Sequence, residues 1–511
     1  MTSTEHLYKL FLQYPLIVTD TRKIVPDSLF FALKGEKFDA NTFAANALEL
    51  GAAYSIIDNP AYRLNEKYIL VDDVLTALQD LARYHRSQLN IPVIGLTGTN
   101  GKTTTKELIN SVLSQHYKTQ ATQGNLNNHI GVPLTLLTID SSHEIAVIEM
   151  GANHQKEIEL LCSVAQPTHG LITNIGKAHL EGFGGIEGVK KGKGELYDFL
   201  KETESFFKVS PPAGGGDLPA GQAGLEGAKG VAFVNSDSAV LVQMEQERGL
   251  KNTFFYGTGN ADNLVTGQLI ENSPLLTLEW ENNRSGEIYT VKTQLTGAYN
   301  LDNILAATAI GVYFGLDDDE INKGIESYQP KNNRSQILQT ASNTLICDYY
   351  NANPSSMFVA IENMAEINAA RKVLILGDMF ELGDESLAEH AAVIKKAMET
   401  PVDERIFIGK DFFEGSPGVR KACLPVGRSE SPKEEADPPL LELSPTKGNV
   451  PGIQNTPVLV GDNSNKGEKA PAFYKTAEDA IAALKANPLT NSTILIKGSR
   501  GMALERLVDL F

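Results

Sequence analysis

The sequence predicts an α/β protein built around a mainly parallel sheet, and three observations lead there. A short apolar run with β-branched residues, Ile91–Thr97, enters a glycine-bearing loop and then a helical pattern in which Leu108, Ile109, Val112 and Leu113 share one face. Further apolar runs at Ile145–Met150, Gly170–Thr173 and Val231–Val234 alternate with helical stretches, as strands buried under crossover helices do. After about residue 330 a second α/β series begins, with strand candidates at 343–347, 372–376, 405–408 and 493–497.

Taken in order, residues 1–89 read as a small mixed α/β domain. It has a helix at 4–13, a turn at Thr19–Arg22, a strand at Leu29–Leu33, a helix at 42–50 and a strand at Tyr54–Ile57. Residues 90–329 form the central domain, whose run at 275–295 reads as a β-hairpin around Asn282-Asn283-Arg284-Ser285-Gly286. Residues 330–511 form the third. Two stretches suit no packed element, 205–230 with Pro211-Pro212-Ala213-Gly214-Gly215-Gly216 and 411–471, rich in Pro, Gly, Ser and Glu; both read as flexible surface insertions.

The 511 residues give a length prior of about three domains, and 42% hydrophobic with 21% charged residues excludes wholesale disorder. A formal charge of −18 opposes binding to nucleic acid or to an anionic membrane surface. Cys162, Cys347 and Cys423 are too few and too scattered for a disulfide framework or a thiolate zinc site, which suits a reducing compartment. The first eighteen residues carry Glu5, His6, Lys9 and Pro15, so they lack the apolar heart of a signal peptide. The longest uncharged apolar stretch, Asn303–Leu316, falls short of the roughly 20 residues that span a bilayer, so no membrane insertion is expected.

The segment Gly98-Thr99-Asn100-Gly101-Lys102-Thr103-Thr104 lies where a strand ends and a helix begins. Glycines there let backbone N–H groups face phosphate oxygens, and the helix N-terminus adds positive partial charge. Lys102 would reach the outer phosphates and Thr103 would offer its hydroxyl to Mg²⁺. Leu96 occupies the first glycine position of the strict P-loop pattern, so the spacing is that of a P-loop relative. In an open parallel sheet the carboxyl ends of strands line the ligand crevice, which makes Glu149 and His179 candidates for the far side of the phosphates. Lys193, in Val189-Lys190-Lys191-Gly192-Lys193-Gly194-Glu195, reads as part of a solvated helix face, since an ammonium cannot ligate a metal.

Six segments in order then carry a resemblance. They are Gly98–Thr104, Glu149–His154, Thr173–Gly176 with Ala178–Gly184, Asp348–Pro354, Leu376–Met379 with Glu381–Gly383, and Lys497–Arg500. Together they resemble the Mur ligases, and Glu149–His154 with Tyr350–Pro354 resembles the dipeptide-adding branch of that family. The resemblance implies an N-terminal domain for a UDP-linked substrate, a central ATPase domain and a C-terminal Rossmann-like domain. It implies an ATP-dependent ligase that joins D-alanyl-D-alanine to UDP-N-acetylmuramoyl-tripeptide through an acyl phosphate, as a monomer in the cytoplasm. By position it places ATP on Gly98, Thr99, Asn100, Gly101, Lys102, Thr103 and Thr104, with Asn300, Asn303, Arg334 and Asp348. Tyr299 stands where the family often has His. Two Mg²⁺ ions are implied on Thr103, Glu149, His179 and Lys193, the last as a carbamate, which turns an ammonium into an anionic oxygen donor. Lys102, Lys193, His179 and Arg334 are thereby implied in catalysis, and Thr21, Arg22, Asn125, Asn127 and Asn128 in holding the sugar nucleotide. Two other functions stay open, a related ligase adding a single amino acid and a nucleotide-binding regulatory protein without catalysis.

Overall fold

The computed structural model describes residues 2–203, 230–260, 262–416 and 469–511, so most of both expected insertions, and Cys423, lie outside the described residues. The chain forms two compact units, 1–336 with 381–383, and 337–380 with 384–511.

The first unit holds two main sheets. Strands β1 (Leu16–Val18), β2 (Ser28–Phe31), β5 (Tyr54–Ile57) and β6 (Tyr68–Leu70) form a parallel sheet in that order. The short pair β3 (Lys34–Gly35) and β4 (Phe38–Asp39) stands apart as an antiparallel ribbon. The N-terminal helix occupies Thr4–Gln13, as the sequence predicts, because Ser3 accepts from the His6 N–H and Leu7, Leu10 and Phe11 fall on one buried face.

The central sheet has nine strands. They are β7 (Val93–Thr97), β8 (Thr119–Ala121), β9 (Ile145–Glu149), β10 (His169–Ile172), β11 (Val231–Asn235), β12 (Thr253–Gly257), β13 (Val265–Asn272), β14 (Leu276–Asn282) and β15 (Glu287–Lys292). Their spatial order is β15-β14-β13-β12-β11-β10-β7-β9-β8. Pairing is parallel from β8 through β13, and the edge pairs β13–β14 and β14–β15 are antiparallel. Strands β7, β9, β10 and β11 are buried along their whole length, so they read as continuous apolar runs. The expected hairpin is β14–β15, with Trp280 buried against Tyr289 across the pair. Strands β8, β12 and β13 escape the sequence reading. Thr119–Ala121 is too short to show a period, and β13 mixes Gly, Gln and Glu into its exposed half.

One apolar cluster runs from Leu7, Phe11 and Phe31 through Leu78 and Leu81 to Val93, Ala146 and Leu196, so the four-stranded sheet and the nine-stranded sheet share a core. Helix Val74–Gln88 is the link. Its Arg86 guanidinium is buried and donates to the carbonyls of Ala165, Leu89 and Gln166, and its His85 Nε2 meets the Ile139 carbonyl at 2.7 Å.

The second unit is a six-stranded sheet in the order β16 (Gln336–Gln339), β17 (Asn343–Asp348), β21 (Ser492–Lys497), β18 (Lys372–Gly377), β19 (Glu404–Ile408) and β20 (Ala472–Tyr474). The pairs from β17 to β20 are parallel. The expected start of the second insertion needs correction. Residues 410–414 form a short helix with Phe412 buried on Phe407 and His390, so the first residues of the expected stretch belong to the packed unit.

His169 tests how this core responds to acid. It lies buried at the start of β10, with Nδ1 2.8 Å from Thr168 Oγ1 and Nε2 3.2 Å from the Tyr313 hydroxyl. Burial pushes its pKa from 6.5 down to about 3. The unfolded chain therefore binds more protons between those values, and the stability present above pH 6.5 is lost as pH falls toward 3. His169→Gln, which cannot titrate, is expected to lower the thermal midpoint near neutral pH yet flatten its decline on acidification. Equal declines in both chains would place the acid sensitivity elsewhere.

Candidate functional site

The site begins with the register of β7. Leu96 pairs with Glu149 on one side and Thr97 with Ile172 on the other, so the loop after β7, the end of β9 and the segment after β10 emerge at one edge. The loop turns through Gly98 at φ +144° and Gly101 at φ +77°, and the helix Lys102–Leu113 follows. A Cβ on Gly98 would lie 2.0 Å from Thr173 Oγ1, and one on Gly101 would lie 2.6 Å from Asn303 Oδ1. Neither position admits a side chain.

The segment after β10 fixes the loop. The Asn100 N–H donates to Asn174 Oδ1 at 2.9 Å, the Thr173 hydroxyl to the Asn100 carbonyl at 2.6 Å, and the Thr99 N–H to the Asn174 carbonyl. Lys102 turns its ammonium onto the loop's own carbonyls, Gly98 at 2.8 Å and Thr99 at 3.0 Å. Its surface is only partly covered, but the atoms crowded around it desolvate the charge and push its pKa down to about 8, against the pull of Glu149 and with the push of Arg334.

Glu149 is buried at the end of β9, not solvated. It accepts from the Thr103 hydroxyl at 3.0 Å and from Asn127 Nδ2 at 2.8 Å. Lys193 also departs from the solvated helix face that its neighbours suggest. Lys191 is exposed, whereas Lys193 is 2% exposed, donates to the Ala152 carbonyl at 3.1 Å and sits over the Phe183 ring. The helix Ile186–Thr203 turns it inward because Gly192 and Gly194 leave room for Phe183 and Arg248 on either side. Burial holds its pKa well below the ordinary lysine value, and the Lys102 charge adds to the effect. His179 adopts φ +50° at the start of a short helix, and its Nδ1 meets a Glu381 carboxylate oxygen.

The remaining expected residues fall in four places. Asn300 and Asn303 are buried in a chain in which Thr105 donates to Asn303 at 2.9 Å, Asn303 to Asn300 at 2.8 Å and Asn300 to the Thr296 carbonyl at 2.8 Å. That chain ties the phosphate-loop helix to the helix Asn300–Tyr313. Asn128 Oδ1 accepts the Gly131 N–H at 2.9 Å ahead of the helix Gly131–Leu136, while Asn125 is exposed. Thr21 and Arg22 lie in a 3₁₀ turn after β1, where the exposed Arg22 pairs with Asp20. In the second unit Asp348, at the end of β17, accepts from Lys497 at 2.5 Å.

Residues missed by sequence reasoning are Thr122, whose hydroxyl accepts the Glu149 N–H at 3.0 Å, and Glu107, which bonds Tyr328 and Asn332. Neither stands in a motif. In the second unit the ligating atoms of Asp378, His390 and Asp411 lie within 4.8 Å of one another. Both imidazole nitrogens are committed, Nε2 accepting the Met379 N–H at 3.0 Å and Nδ1 donating to the Ser386 carbonyl at 2.7 Å. Asp378 accepts the N–H groups of Asp411 and Phe412, both at 3.0 Å. This group is a brace for the loop after β19, not a metal centre.

A family model described as "Mur ligase middle domain" matches residues 96–210, one described as "Mur ligase, glutamate ligase domain" matches 333–434, and one described as "Mur ligase family, catalytic domain" matches 13–86. The UDP-N-acetylmuramoyl-tripeptide--D-alanyl-D-alanine ligase of Bacillus subtilis is 32% identical over 96% of this chain and 92% of its own. Its Escherichia coli counterpart is 36% identical over 77% and 81%. Among solved structures, MurF from Acinetobacter baumannii superposes with a TM-score of 0.74 at 28% identity over 97% of this chain and 92% of that one.

Gly101→Ala is expected to cost about 1–2 kcal/mol from the left-handed backbone alone, and to weaken ADP binding as Asn303 is displaced. Denaturant unfolding and ADP titration measure both. An unchanged affinity would show that the Asn303 contact does not shape the loop.

Proposed function

The chain belongs to the Mur ligase family, and from that premise we propose that it joins D-alanyl-D-alanine to UDP-N-acetylmuramoyl-tripeptide at the expense of ATP. The observation that carries this reading is the identity shared with named ligases over nearly the whole chain, together with an intact Lys102, Thr103, Glu149 and buried Lys193.

A carboxylate is a poor electrophile until one of its oxygens becomes a leaving group. The substrate carboxylate takes the γ-phosphoryl group from ATP, breaking the bond to the β-phosphate bridge and releasing ADP. The dipeptide amine then attacks the carbonyl carbon, phosphate leaves, and the amine's proton is lost as the amide forms. Lys102, the loop N–H groups and Arg334 stabilise the charge on the transferring phosphoryl group. Asn300 and Asn303 hold the loop from the adenine side, Asp348 serves the ribose, and Thr21, Arg22, Asn125, Asn127 and Asn128 serve the sugar nucleotide.

The donors around Glu149 fit Mg²⁺. Thr103 gives its proton to Glu149 and keeps its oxygen lone pairs, and the carboxylate, with one hydrogen bond on each oxygen, keeps acceptor capacity. Thr103 and Glu149 would hold one ion, and His179 through Nε2 with a carbamate on Lys193 a second. When bound, Mg²⁺ neutralises charge on the phosphate oxygens. A neutral Lys193 amine can add CO₂ with loss of one proton, and desolvation of the buried ammonium, with the Lys102 charge nearby, favours the neutral amine. From the family resemblance we place the reaction on a monomer in the cytoplasm. No described helix is long and apolar enough to cross a membrane.

Phosphate release from ATP and Mg²⁺ with UDP-N-acetylmuramoyl-tripeptide is expected to require D-alanyl-D-alanine and to yield the pentapeptide mass. Release with a single amino acid instead would move the chain to another acceptor, and no release with any amine would favour nucleotide binding without ligation. Lys193→Ala is expected to lose about 10²–10³ in rate and to recover part of it with small carboxylates. Normal turnover in that variant would remove the carbamate from the mechanism.

A further inference from the structure

Arg334 lies in a short connection, residues 328–335, that leaves the helix Asp318–Ser327 and enters β16. The two residues flanking it, Asn333 and Ser335, both adopt left-handed backbone, at φ +53° and +51°. Ordinary side chains reach that region only at a cost, so the surroundings must impose it. Two sets of contacts do.

Ahead of Arg334, the Tyr328 hydroxyl donates to Glu107 Oε2 at 2.8 Å and Asn332 Nδ2 donates to Glu107 Oε1 at 2.6 Å. One carboxylate on the phosphate-loop helix thus grips the connection at two points. Behind Arg334, the Ser335 and Tyr299 hydroxyls share a hydrogen bond at 2.5 Å. Tyr299 immediately precedes the helix whose Asn303 is bonded to Thr105, and its ring lies where a Cβ on Gly297 would approach within 2.3 Å. One anchor therefore roots in the helix that follows the phosphate loop, and the other at the start of the helix bonded to it through Asn303 and Thr105. Arg334 and Lys102 repel each other, so an untethered arginine would move away.

We infer that Glu107 and Tyr299 are positioning residues that clamp the 328–335 connection from either side and hold Arg334 beside the phosphate loop. The inference rests on the ligase reading above for what Arg334 does there. It also gives Tyr299 a role, since a phenol reaches the Ser335 hydroxyl from a position that neighbours the nucleotide site.

The experiment uses the full chain and four variants, Tyr299→Phe, Glu107→Gln, and each combined with Arg334→Ala. Gln keeps one acceptor where Glu107 uses two, and Phe keeps the ring, so both singles preserve packing. Misplacement of a catalytic group costs up to about 100-fold, so each single substitution is expected to lower kcat by about 10- to 100-fold, with the KM for ATP changed by less than about twofold. In the Arg334→Ala background neither substitution is expected to cost more than about twofold, because the group it positions is gone. Amide exchange over residues 329–335 is expected to accelerate in Glu107→Gln. Equal losses with and without Arg334, or exchange in that segment left unchanged, would overturn the clamp. An unaltered chain that releases no phosphate with any amine overturns the ligase reading alone. The clamp is then judged on exchange, where acceleration confined to 329–335 upholds it and identical rates overturn it.

Discussion

Parallel pairing of β7 with both of its neighbours is the constraint on which the rest of the site depends. Slipping either pair by one residue would turn every side chain of a strand to the opposite face. The register that sets Leu96 beside Glu149 and Thr97 beside Ile172 brings a loop of backbone donors, a buried carboxylate and the Thr173-Asn174 brace to one edge. Each of these strands is apolar on both faces, so the register is specified twice, by the helices above and by those below. The chemistry at the edge is inherited from packing in the middle of the sheet.

Rigidity at that edge comes from polar groups satisfied in chains. Thr105, Asn303, Asn300 and the Thr296 carbonyl form one chain behind the loop, and Asn100, Thr173 and Asn174 form another in front of it. Each group in these chains is buried or nearly so, and losing one partner would strand the next. A loop bounded in this way meets an anion with its donors already set, so little ordering remains for binding to bring about.

Legibility from sequence followed the range of the interaction. The strand-loop-helix around Gly98–Thr104 was legible because its period and its glycines are local, and helix 4–13 because its cap and apolar face lie within ten residues. Burial of Glu149 and Lys193 was not, since it depends on Thr103, Asn127 and Phe183, which are distant in sequence. The shared core of the first unit was hidden for the same reason, as the Ala165 and Gln166 carbonyls that hold Arg86 come from an element distant in sequence. Strand β8 was too short to carry a period, and Glu107 stands inside a helix pattern that gives no hint of its two partners.

Four buried or nearly buried lysines separate by what offsets their charge. Lys497 has the Asp348 carboxylate at 2.5 Å, and Lys106 has the Thr122 carbonyl at 2.7 Å with Glu107 at 3.5 Å. Lys102 has two carbonyls and, farther off, the attraction of Glu149. Among the described residues Lys193 has one carbonyl and one aromatic face, and no carboxylate at ion-pair distance. Burying an ammonium without an anion favours loss of its proton. The order of offset is therefore an order of chemical availability. Lys497 is a fixed ion-pair partner, Lys106 a tether and Lys102 a cation whose charge an arriving phosphate would favour further. Lys193 has the least offset of the four, so its burial favours the neutral amine on which the proposed carbamate depends.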